Sequence, residues 1–532
     1  MIKPHALLVP RRRSQLVVAA SVFTFMTMLL ALVTRGAGYS SLRQKWATDS
    51  EGAVYTEVRH GPSTAARVTK DKLHILLPAT RSNPNFCKTL MTMTILGYPA
   101  PTIIGWGGRE GGSSHYMKIT NSLAWIEDHE RNGQPEFEEE IVFMMDAYDV
   151  WFQLPPEVLL ARYERILREE DARVKQRLGK AFRNEHLETG VIFGAGKRCI
   201  PNMPSSISCY AVPDSPVPHD IYGAATDTSF GVGPATSFRT RYLNSGSMIG
   251  KVKHMRKLLK AAAAKMRVCK DRQTRPDDSR GRSGQCDGGS DQSIFIEMLG
   301  EQEYHREIMR RHHRGIFDDV LDWLVPGRAG SWPKPWNIYG AVVTDPLNPE
   351  FPHRPHNTAY HTGKLWDFGI ALDYFADLGH QGIDAERDIH YIMHDQPIAP
   401  QLSRQSPFDC RNPRSTMPDD IPRGNVDLLT ANGPGPRTWQ SVPLLSEVCM
   451  DTIPVMIHHN AMNNSRLETE WEKPWWHGRA RKMLEWREKE GAEQLLHGFM
   501  TDVHMALTWS ELCPARYDQE LYREGKPKPV EG

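Results

Sequence analysis

The chain has 532 residues, with Lys plus Arg at 65 against Asp plus Glu at 64 and a formal net charge of +1. That length exceeds one ordinary hydrophobic core and predicts a main domain with appendages. The balanced charge, with no basic stripe interleaved with aromatics, argues against a nucleic-acid partner.

In chain order, residues 1–15 form a short basic tail ending at Arg11, Arg12 and Arg13. An uncharged run from Leu16 to Val33 follows, close to the roughly 20 residues that cross a bilayer, so residues 16–34 are expected to be a transmembrane signal-anchor. The arginines would keep the tail cytoplasmic and place everything after Arg35 in the lumen, as a single-pass type II protein of the Golgi or endoplasmic reticulum membrane. A cleaved signal peptide is the alternative, and both readings send the chain into the secretory pathway. All eight cysteines lie after the anchor, consistent with an oxidising compartment, and none forms a CxxC, which argues against zinc. The short-loop pairs Cys199 with Cys209 and Cys269 with Cys286 are candidate disulfides, free buried thiols being the other possibility.

Residues 35–70 are polar and aperiodic, as in a stem. The head then opens with a strand at Leu73–Leu77, a loop at Pro78–Asn83, a helix around Phe86–Leu96 closed by Gly97, and a second apolar stretch at Pro101–Ile104, a βαβ pattern typical of parallel sheets. The apolar run Ile141–Met145 has the character of a strand buried on both faces and ends in Asp146-Ala147-Tyr148-Asp149. Open α/β sheets bind ligands beyond the carboxyl ends of such strands. Two acids three apart at a turn can converge on one divalent cation, although Asp-x-x-Asp also serves as a plain turn former or N-cap.

After Pro155-Pro156, the residues Val158, Leu159, Tyr163, Ile166 and Leu167 share a helical face, and Val191–Phe193 forms another buried strand. Asn244-Ser245-Gly246 brings small polar groups to the entrance of an apolar segment, and Asp291-Gln292 opens an amphipathic helix, where the local sequence favours Asp291 as an N-cap over a functional acid. Insertions are expected near 270–290 and 331–361. An apolar strand before His458-His459-Asn460 would deliver a third, imidazole ligand, with an ordinary surface His pair as the competing account. The tail 471–532 is rich in Trp and carries a charged amphipathic helix near Arg479–Glu490; Trp471, Trp475 and Trp476 are expected to cover a core edge or to stack on an acceptor sugar.

Taken in order, Met-Asp-Ala-Tyr-Asp-Val, Val-Ile-Phe-Gly-Ala-Gly-Lys-Arg-Cys, Tyr-Leu-Asn-Ser-Gly, Asp-Gln-Ser-Ile-Phe and Asp-Thr-Ile-Pro-Val-Met-Ile-His resemble the glycosyltransferase domain of the procollagen lysyl hydroxylase family and, more distantly, the procollagen galactosyltransferases. The resemblance covers about residues 71–470 and implies a GT-A, Rossmann-like α/β fold with a mixed, mostly parallel sheet flanked by helices. It further implies a UDP-sugar donor, Mn²⁺ held by Asp146, Asp149 and His458, Tyr148 against the uracil, Asn244, Ser245 and Gly246 along the sugar pocket, Gln292 and Asn460 on the donor, and Asp291 as the catalytic group. The activity implied is transfer of a hexose to a hydroxyl of a protein or glycan acceptor. The chain departs from the family pattern at Gly288-Gly289-Ser290, which replaces a run of acids, at Ile200, which replaces a Trp, and at Asn464, which replaces a Lys. Those departures leave a non-catalytic scaffold that binds nucleotide sugars or glycans as the alternative.

Overall fold

The computed structural model describes residues 69–522, apart from 109–113, 129–133, 203–206, 229–234, 274–289, 314, 316–336, 339–340, 343–365, 404–409, 425, 431–437 and 461–463. The expected anchor, nearly all of the stem, Cys286 of the Cys269–Cys286 candidate pair, and most of the two insertions lie outside the described residues. No helix among the described residues is long and apolar enough to cross a membrane.

The βαβ opening is present. Strand β1 (Leu73–Pro78) leads into helix α1 (Pro84–Leu96), whose first turn is capped by the Asn83 side chain accepting from Phe86 N at 2.9 Å. The helix ends because Gly97 takes φ 78°, a left-handed conformation that costs glycine little, and its N–H returns to the carbonyls of Met93 and Thr94. Strand β2 (Thr102–Ile104) lies parallel to β1, and beyond it comes helix α2 (Ser114–Glu127). Next are β3 (Ile141–Met145), the short β4 (Val150–Phe152) and helix α3 (Pro156–Leu178).

Six strands form the central sheet in the order β2-β1-β3-β6-β5-β7, where β5 is Val191–Gly196, β6 is Tyr242–Lys251 and β7 is Ile370–Asp373. The pairs β1/β2, β1/β3 and β5/β7 are parallel, while β6 runs antiparallel to both neighbours. This is a mixed α/β architecture with a mostly parallel sheet. Helices α4 (Val252–Gln273) and α5 (Asp291–His312) pack with α2 on one face.

Alternation along β3 shows how one strand serves two cores. Ile141, Phe143 and Met145 join the cluster that holds Phe86, Leu90 and Val158, and Val142 and Met144 join the opposite cluster with Ile119, Leu258 and Phe295. Successive strand residues point to opposite faces, so an unbroken apolar run is what a doubly covered strand requires. Beside the main sheet lies a three-stranded one, ordered β8-β11-β4, where β8 is Gly379–Gln381 and β11 is Met456–His458. Between them in the chain, β9 (Ile389–Ile392) and β10 (Leu444–Glu447) form an antiparallel pair.

The Trp-rich tail packs onto the first core. Trp471, Trp475 and Trp476 are buried, and their indoles serve that packing: Trp471 Nε1 donates to Leu521 O at 2.8 Å and Trp475 Nε1 to Gln153 O at 3.2 Å. Helix α6 (Ala480–Lys489) lies against α1, and a disulfide between Cys87 and Cys513 ties the tail to the start of α1. The expected Cys199–Cys209 bridge is present, and Cys410 pairs with Cys449.

Candidate functional site

The chain reverses direction at Asp146–Asp149, between β3 and β4. Asp146 N donates to Gly246 O at 2.8 Å, so the turn is stitched to β6. Strand β4 pairs antiparallel with β11 in a register that sets His458 opposite Val150, and His459 N donates to Asp149 O at 2.7 Å. Strand pairing across some three hundred residues of chain thus carries His458 to the two aspartates. His458 Nε2 lies 3.5 Å from Asp146 Oδ2 and 3.3 Å from Asp149 Oδ2, and one ligand atom from each residue falls within 4.8 Å of the others.

The ring of His458 is buried, and its Nδ1 is 2.8 Å from Gln381 Oε1. An oxygen acceptor there requires Nδ1 to carry the proton, which leaves Nε2 as the atom available to a cation. Burial disfavours a charged His458, but the Asp149 carboxylate, by charge and hydrogen bond, and Asp146 together push its pKa up. Reciprocally, burial works against Asp149 ionisation and His458 overcomes it, so the Asp149 pKa lies below its ordinary value. Two acids, part-exposed, and one imidazole with its far nitrogen engaged form a donor set suited to a hard or borderline divalent ion.

His459, by contrast, is a packing residue. Burial drives its pKa down to about 3, and its ring lies 4.0 Å from that of Trp151.

Beside the trio sits a group that sequence reasoning did not find. Lys118, on α2, is buried, and its Nζ reaches Asp146 Oδ1 at 2.8 Å, Asp291 Oδ2 at 3.1 Å and Ser245 O at 2.6 Å. Burial opposes its charge, yet Asp146 and Asp291 outweigh that and raise its pKa, so the ammonium persists. Asp291, the first residue of α5, also pairs with the exposed His115, whose Nδ1 is 3.2 Å from Asp291 Oδ1. Although burial raises a carboxyl pKa, Lys118 and His115 hold Asp291 down to about 2. The hydrogen bond that His115 donates to Asp291 in turn raises the His115 pKa. The available signal was a lysine on the buried stripe of α2, where Lys118, Ser122 and Trp125 recur at helical spacing.

The remaining expected residues gather at the same end of the sheet. Gln292 Oε1 accepts from Ser245 N at 2.7 Å and Ser245 Oγ at 3.0 Å, locking α5 to β6. Asn244 Oδ1 accepts from Gly246 N at 2.8 Å. Asn460 Oδ1 accepts from Ile383 N at 2.9 Å. These polar groups are engaged within the protein and shape the site's backbone. Tyr148 hangs over the β1 loop, its hydroxyl donating to Arg81 O at 2.9 Å and its ring 6.0 Å from Phe86.

A second cluster, Asp388, Glu447 and Cys449, has similar proximity. It is no metal centre of the same kind, because Cys449 is spent in its disulfide and Lys197 Nζ already sits 2.5 Å from Asp388 Oδ2.

No protein-family model matches the chain, and no curated protein matches it.

Proposed function

We propose that this chain is a metal-dependent glycosyltransferase of the GT-A type, transferring a hexose from a UDP-sugar to a hydroxyl of a protein or glycan acceptor, anchored by residues 16–34 in the Golgi or endoplasmic reticulum membrane. The observation that carries this reading is the convergence of Asp146, Asp149 and His458 at the carboxyl end of β3, with Lys118 and Asp291 one contact away. Asp146, Asp149 and His458 would hold Mn²⁺, which when bound supplies neutralisation of the charge that develops on a departing diphosphate.

The chain's own residues account for the rest. Tyr148, beside the β1 loop, offers an aromatic face to the uracil. Lys118, held charged between two acids, keeps Asp146 and Asp291 in fixed positions. Asp291 is ionised and buried, so its field acts in a low dielectric on a nearby sugar or acceptor hydroxyl. His115 stands at the exposed side of Asp291, where an acceptor would approach.

The test is Mn²⁺-dependent UDP release by the purified full chain across a panel of UDP-sugars. Wild type should release UDP from one donor, and Asp146→Ala/Asp149→Ala should release none. Asp291→Ala should keep Mn²⁺-dependent UDP binding and lose turnover. Binding without release from any donor in the wild type would favour the non-catalytic scaffold instead.

A further inference from the structure

Strands β8 and β11 run parallel, and their register sets Gln381 directly against His458. Both side chains are buried. Gln381 Oε1 takes the His458 Nδ1 hydrogen bond at 2.8 Å and a second from Asn460 Nδ2 at 3.4 Å. Two glycines make room for this pair. A Cβ on Gly246 would stand 2.0 Å from His458 Cε1 and 2.4 Å from Nδ1, and a Cβ on Gly194 would stand 2.5 Å from Gln381 Nε2. The side-chain pair therefore packs directly on the backbone of β5 and β6 at these two glycines.

The amide has two faces, and its surroundings choose between them. With oxygen toward His458, the NH₂ group lies over Gly194, and Gln381 also lines a small cavity with His380, Asp388, Glu447 and Lys197. Nε2 has no hydrogen-bond partner among the described residues, and the orientation is set at the oxygen: Asn460 Oδ1 is taken by Ile383 N, which turns Asn460 Nδ2 toward Gln381 as a donor. The reverse orientation would set Nε2 against both Asn460 Nδ2 and the ring nitrogen, and would turn the His458 lone pair inward. Only the first orientation presents a bare Nε2 to Asp146 and Asp149.

We infer that Gln381 is the positioning residue for His458: its buried amide oxygen fixes the imidazole as the Nδ1–H form and thereby sets the third ligand of the divalent-cation centre. This rests on the metal-centre reading of the trio. Gly246 then has a second role besides lining a pocket, since it is the gap into which the His458 ring fits.

The experiment is calorimetric titration of MnCl₂ into the full chain without any sugar donor, with thermal unfolding run beside it. Gln381→Met, which keeps the bulk and removes the acceptor, should weaken Mn²⁺ binding by about 10- to 100-fold, the usual effect of losing an outer-shell partner. Gln381→Glu keeps an acceptor oxygen on Nδ1–H and should bind Mn²⁺ far closer to wild type. If Gln381→Met fails to fold, Gln381→Asn, whose oxygen stops one methylene short, carries the same expectation. Wild-type affinity in Gln381→Met, or equal losses in the Met and Glu variants, would overturn the inference. Absence of Mn²⁺ binding in the wild type would instead bring down the metal centre itself, and the positioning role with it.

Discussion

Two acid clusters lie a short distance apart in this protein and share an inventory of carboxylates, a histidine and a lysine, yet their surroundings give them different chemistry. At the carboxyl end of β3, the side chains of Asp146 and Asp149 are 40% and 29% exposed, and Asp149 faces an imidazole whose proton can leave. Inside, Asp388 and Glu447 are wholly buried; Lys197 and the Tyr222 hydroxyl, at 2.5 and 2.8 Å, hold Asp388, and Glu447 meets His380 at 3.1 Å. Burial lifts Asp388 to about 7 and Glu447 to about 8, and lowers His380 to about 4. On the proposed function the outer cluster exchanges a proton for a cation, whereas the inner one satisfies its charge from within. Burial and an internal counter-ion, more than residue type, separate a ligand set from a structural network.

The comparison can be broken most forcefully at Lys197. Lys197→Met leaves Asp388 buried without its cation, and removal of one partner from such a pair typically costs about 3–5 kcal/mol. Denaturant unfolding should show a loss of that order. Asp149→Ala should cost about 1 kcal/mol or less, since Asp149 itself is part-exposed, while abolishing Mn²⁺ binding. Similar stability losses in the two variants would erase the distinction.

A finer test uses pH. Glu447 binds its proton more tightly in the folded chain than in the unfolded one, so its contribution to stability is fully present below its ordinary value of 4.5 and is lost as pH rises through about 8. Melting temperature followed from pH 4.5 to 8 should therefore fall less steeply in Glu447→Gln than in wild type. An unchanged slope would mean that Glu447 is ionised inside the protein and that another group balances it.

Much of the scaffold could be read from the chain because its signals are local. Asn83 and Gly97 bracket α1, Pro156 opens α3, and five unbroken apolar residues announce β3. The Cys199–Cys209 bridge spans ten residues, a closure that spacing alone suggests. The Cys87–Cys513 bridge spans 426 and has no such cue. Within the site, Asp146, Asp149 and His458 stood out as ligand-type side chains at strand ends. Lys118 and His115 did not, because α2 follows a glycine-rich stretch and its lysine resembles any solvated helix charge until its neighbours are known. Gln381 was beyond reach for a different reason. Its strand has three residues and no periodicity, and its role exists only through pairing with a strand 77 positions away.

On the proposed function Asp146, Asp149 and His458 form one divalent-cation centre at the end of β3. Anomalous X-ray scattering at the manganese edge, from crystals of the protein grown with MnCl₂ and UDP, tests it most directly. The account predicts one strong peak bounded by those three side chains, with the nucleotide's diphosphate beside it. Manganese bound elsewhere while the trio keeps its direct ion pairs, or no peak at all, would contradict it.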